Sequence, residues 1–174
     1  MQLSHSLTID SLGACQGISW LNGKVYLYGD REVGMIRQFD MQGDSLVYTG
    51  AEYKLTLHDT DVINHPTGLA VHGKDPVFMG NSVLLDRATN KWKAIIYCID
   101  WPGLQRTGTL DGGNLLNVIE DDSLESGKAE VAGMVDTIDR GDELEGFSFL
   151  STLSRGVAVT SSRRGNVNFI DINW

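Results

Sequence analysis

The chain has 174 residues, 41% of them hydrophobic, with 20 glycines against 3 prolines and a formal net charge of −9. That length and apolar content suit one domain, 1–174, with a sizeable core, while the 14 scattered Lys and Arg lack the clustering that a phosphate backbone demands, so no nucleic-acid partner is expected. No run approaches the about 20 apolar residues of a membrane span, and MQLSHSLTIDSLG lacks the basic-then-apolar order of a signal peptide, so a soluble protein without a membrane partner is expected.

The first predicted element is an isolated outer strand, LSHSLTIDS. It is followed by a short inner strand, QGISW (16–20), whose order of polar residue, glycine and alternating apolar and small residues occurs twice more. Asn22-Gly23 then marks a hairpin, because Asn-Gly between alternating apolar runs adopts the left-handed turn a tight hairpin requires. The strands VYLYG and MIRQFDM come next, separated by a turn at DREVG, and SLVYTGAEYKLTL is a plausible fourth strand.

The second unit opens with HPTGLAV (65–71), turns at Gly73-Lys74 and at 87–90, and reaches KAIIYCIDW as its third strand. Residues 101–127 read as an acidic insertion, made so by Glu120, Asp121, Asp122 and Glu125, with a helical segment at 114–121. As a surface loop it should lie outside the core, and the fourth strand is expected in AEVAGMVDT (129–137). The third unit opens with EGFSF (145–149), turns at Arg155-Gly156, continues as VAVTS, turns again at RRGN and ends on VNFIDI. Cys15 and Cys98 make no metal spacing; two buried thiols or one disulfide fit them.

Three repeats of this order predict an all-β fold of three four-stranded units, the pattern of β-propeller blades. A β-sandwich would also carry many short strands, but it does not call for the recurring opening phrase. YLYGDREVGMIRQFD and VAVTSSRRGNVNFIDI resemble the strand–turn–strand core of the NHL and regucalcin/gluconolactonase-like six-bladed propellers, and QGISW, TGLAV and EGFSF resemble their innermost strands. Three blades make half of such a ring. A homodimer would complete it, each N-terminal strand finishing the last blade of the other chain; a fragment of a longer protein is the alternative.

In a propeller the inner-strand openings and the loops between second and third strands reach one face. That gathers Gln16, His65, Thr67 and Glu145 with Asp30, Arg31, Glu32, Asn81, Ser82, Arg163 and Arg164 at a polar axial mouth. The lactonase resemblance implies a divalent cation, calcium or zinc, held by the Glu before an inner-strand glycine, which is Glu145 here. Gln16 and Thr67, at the other openings, are not anionic, which departs from the hard oxygen ligands such cations prefer. Two functions are expected. One is a module binding a small molecule, a peptide or another protein at the mouth, through Gln16, Asp30, Arg31, His65, Thr67, Asn81, Glu145, Arg163 and Arg164. The other is a metal-dependent hydrolase of the lactonase or phosphoesterase type, with Glu145 or His65 assisting. The duller readings are a turn-shaping His65, an ion pair from Glu145 to Arg163 or Arg164, an ordinary turn at Asn81-Ser82, and tryptophans 20, 92 and 101 as strand packing.

Overall fold

The computed structural model describes residues 2–9, 14–30, 32–71, 77–120, 144–152, 154–160 and 166–172. Most of these residues form three four-stranded antiparallel sheets. The first sheet runs in chain order through β2 (Ala14–Leu21), β3 (Lys24–Asp30), β4 (Gly34–Gln42) and β5 (Ser45–Lys54). A two-stranded ribbon, β6 (Thr56–Leu57) and β7 (Thr60–Asp61), links it to the second sheet of β8 (Pro66–Val71), β9 (Val77–Asp86), β10 (Lys91–Ile99) and β11 (Leu115–Glu120). The third holds β12 (Leu144–Phe149), β13 (Arg155–Thr160), β14 (Val167–Asp171) and, at its outer edge, β1 (Gln2–Leu7).

The first sheet is the middle layer, and β3 shows why. Every residue from Val25 to Gly29 is buried, so no solvent face alternates with a core face. Tyr26 and Tyr28 enter a core shared with Met79, Tyr97 and Ile99 of the second sheet. Val25 and Leu27 enter another, shared with Val157, Val159 and Phe169 of the third. A strand's period of two thus divides one sequence between two cores. The Asn22-Gly23 hairpin forms as expected, with φ of 51° and 78° at its two residues.

The N-terminal strand finishes the last sheet, but it does so within its own chain: Leu3 pairs with Ile170 and Leu7 with Val167. The expected strand exchange between two copies is therefore not needed. His5 stacks on Phe169 with ring centroids 4.4 Å apart, and its Nε2 lies 2.6 Å from the Asp44 carbonyl of the middle sheet.

Four other expectations need correcting. The helix near the insertion is α1 (Trp101–Thr107), and Leu115–Glu120 is a strand that pairs with β10. Nor does the described part of the insertion, 101–120, lie outside the core: Trp101, Leu104 and Leu110 are buried between the first two sheets, with Trp101 edge-on to Tyr26. Apolar spacing of 101, 104 and 110 wins over the loop-like glycines around it. Arg155 and Gly156 begin β13 instead of turning, paired with Asp171 and Ile170. Asn81 and Ser82 sit inside β9, opposite Ile95 and Ala94 of β10, so the hairpin tip falls at 87–90 as foreseen, but its strands run longer. The predicted strand at 129–137, the turn at Gly73-Lys74 and the RRGN turn up to 165 lie outside the described residues.

Candidate functional site

The repeated opening phrase has one structural meaning. In β2 the pairing with β3 shifts between Cys15 and Gly17, leaving Gln16 as the extra residue of a β-bulge. In β8 the shift falls between Pro66 and Gly68, leaving Thr67. In β12 it falls between Leu144 and Gly146, leaving Glu145. A bulge interrupts the ladder and re-aims the side chain of the extra residue. Strands β2, β8 and β12 thus each carry one at the polar residue before the glycine.

The glycine after the bulge lets two of these strands approach their neighbours closely. A Cβ on Gly146 would stand 2.8 Å from the Gly17 Cα, and one on Gly17 would overlap the Tyr28 ring. β2 lies between β12 and β8, touching both. Ser148 Oγ accepts a hydrogen bond from the Trp20 N–H at 3.0 Å, and Ser19 Oγ donates one to the Leu69 carbonyl at 3.2 Å.

A groove of about 620 Å³ opens where the three strands converge, within the usual range for small-molecule sites. Ser19, Tyr28, Thr67 and Ser148 give it hydroxyls; Trp20, Phe78, Ile96 and Phe147 give it apolar surface. Among the described residues no charged side chain lines it, although the chain carries −9 overall. Burial pushes the Tyr28 phenol above its ordinary pKa, so it stays neutral and able to donate.

Of the residues expected at a single mouth, Thr67 lines this groove. Gln16 and Glu145 are the matching bulge residues of the flanking strands, and both are half-buried. Asp30, His65 and Asn81 form a separate cluster between the first and second sheets. His65 donates its backbone N–H to Asn81 Oδ1 at 2.8 Å, and its Nδ1 lies 3.4 Å from Asp30 Oδ2, long for a hydrogen bond. Asp30 Oδ1 is buried without a hydrogen-bond partner among the described residues. Asn81 is 2% exposed, so its role is to hold the start of β8. Arg31, Arg163 and Arg164 lie outside the described residues.

Among the described residues no group of three or more His, Cys, Asp or Glu is placed to hold a metal ion. Within that set Glu145 belongs to no such group. Glu145 instead lies within electrostatic range of Cys15, and burial, with a smaller push from that carboxylate, raises the Cys15 thiol to about 12. Cys15 and Cys98 are both free thiols. Sequence reasoning missed the bulges because each is one residue long; the recurring polar-Gly pair was their signal. No helix among the described residues is long and apolar enough to cross a membrane. No protein-family model, no curated protein and no solved structure matches the chain.

Proposed function

We propose that the chain is a binding module, its three sheets arranged as blades of a β-propeller, and that its ligand enters between the inner strands β12, β2 and β8. The observation that supports this reading is the repeated bulge, which gives Gln16, Thr67 and Glu145 the same position in three successive inner strands. Bulges gather at sheet edges and beside binding sites, and these three sit on edge strands that converge on one groove. The uncharged groove narrows the ligand to a neutral small molecule or an uncharged peptide segment, with hydroxyls to orient it and aromatic rings to cover it.

NMR titration with a library of neutral fragments tests this. Shift changes should gather on Ser19, Thr67 and Ser148 and should be insensitive to salt. Hits confined to Asp30 and His65, or appearing only with calcium or zinc, would overturn it.

A second reading, a hydrolase, has the proximity of Asp30 to His65 in its favour, since a carboxylate near Nδ1 can orient an imidazole for proton transfer. Its test is ester or lactone turnover lost in His65→Asn; equal turnover in that variant would dismiss it.

A further inference from the structure

The two contacts between neighbouring inner strands obey one rule, and the rule leaves one position open. In each opening phrase the glycine and the residue two after it face one neighbouring sheet. The bulky residues one and three after the glycine face the other. Gly146 and Ser148 meet the strand bearing Ile18 and Trp20: Gly146 packs on Gly17 and Ile18, and Ser148 receives the Trp20 N–H. One step on, Ser19 reaches the Leu69 carbonyl, and Leu69 packs into the core between the first and second sheets.

The next step has no counterpart among the described residues. Gly68 and Ala70 point away from the first sheet, paired with Gly80 and Phe78, and a Cβ built on Gly68 meets none of the described residues within 4 Å. Ala70 is exposed. At the other end of the series Phe147 and Phe149 stand 41% and 37% exposed, packed edge-on to each other with centroids 5.2 Å apart. They occupy the positions that Ile18 and Trp20, or Leu69 and Val71, hold in the other two phrases. One end of the series therefore offers a shallow face of small residues, and the other offers two rings of the kind that fill such a face.

We infer that a second copy of this chain covers both ends, its Phe147 and Phe149 seating on Gly68 and Ala70, and the reverse. This dimer rests on the blade arrangement proposed above. One two-fold axis closes both new seams at once, so the assembly stops at two. Both apolar faces, unusual on an isolated chain, are then removed from water. The ligand groove gains a second wall, because Gly68, Ala70 and Phe147 border it. It is half of a site that the partner completes.

Gly68→Val is the decisive variant. Among the described residues nothing lies within 4 Å of a Cβ at Gly68, and Gly68 does not have the positive φ that would strain a side chain. At the inferred seam the added methyls collide with a ring. Sedimentation velocity and light scattering should give the wild type twice the 19.1 kDa chain mass. Gly68→Val and the double variant Phe147→Ser/Phe149→Ser should each weaken dimerisation by roughly 30-fold or more, as the loss of a central interface contact does. Circular dichroism should show the Gly68→Val monomer folded. A wild type that stays monomeric at high concentration overturns the inference, as does a dimer indifferent to both variants. A ladder of larger species overturns the closed two-fold. Fragment binding by Phe149→Ser, whose ring does not line the groove, separates the two ideas: the groove can bind while dimerisation fails, and dimerisation can hold while the groove stays silent.

Discussion

Gly146 and Gly17 approach so closely that a single methyl on Gly146 would lie 2.8 Å from the Gly17 Cα. Backbone cannot swing aside as a side-chain tip can, so the two strands must part to admit it. Gly146→Ala is expected to lower stability by about 1–3 kcal/mol, as overpacking does. Urea denaturation checks this. A variant as stable as the wild type would mean that the strands are not in contact.

Phe169 is fully buried, packs with Val25 and Leu27 of the middle sheet, and carries the His5 ring on its own. Phe169→Ala should cost about 3–5 kcal/mol, the usual penalty for emptying a core of that size. Removal of residues 1–9 should act in the same direction for another reason. It takes β1 from β14, leaving an unpaired edge in the third sheet and baring Phe169. Loss of a cooperative melt, with rising light scattering, is the expected result; an unchanged melt would place β1 off the fold.

Asn114 is 1% exposed, and its amide donates to Thr107 Oγ1 at 2.8 Å and to the Thr109 carbonyl at 3.0 Å. It ties the end of α1 to the start of β11. Asn114→Leu takes the donor from that carbonyl and crowds Gly103, whose absent Cβ would lie 2.1 Å from Asn114 Oδ1. A loss of about 1–3 kcal/mol is expected from the unmade hydrogen bonds alone, again read from urea midpoints.

Alkaline pH should unfold the protein through its buried acids. Burial raises the Cys15 thiol from 9.0 to about 12 and the Tyr26 phenol from 10.0 to about 12. The unfolded chain releases these protons first, so their contribution is complete below pH 9 and declines as the pH rises toward 12. Melting temperature should fall across that window, and Cys15→Ala should flatten its beginning, between about pH 9 and 10. Parallel curves for the two proteins would remove Cys15 from the account.

Short-range chemistry was legible in the sequence wherever one residue type has one use. Asn22-Gly23 located its hairpin, and the three polar-Gly phrases located β2, β8 and β12. What failed depended on partners distant in the chain. Leu115–Glu120 is acidic only at its end and has mixed periodicity, yet pairing with β10 makes it a strand. The Trp101–Thr107 helix looked like loop because Pro102 and Gly103 dominate it. Pro suits a first helical turn, and Gly103 is required by Asn114. Of the residues expected at one mouth, Thr67 lies at the groove while Asp30, His65 and Asn81 gather in a second place. Extra length in β9 moved Asn81 from a presumed loop to the middle of a strand, beside His65 and away from the groove.

The doubly covered strand β3 has a bearing on how the molecule opens. Its residues 25 to 28 alternate between the two main cores, so no sheet can leave β3 without emptying one of them. Local fraying is then confined to the periphery, to β1, β11 and the hairpin tips. Amide hydrogens of β3 should exchange only when the whole domain unfolds, and their exchange free energy should equal that from urea. The middle sheet is the clock of the fold: its slowest protons measure the lifetime of everything around it.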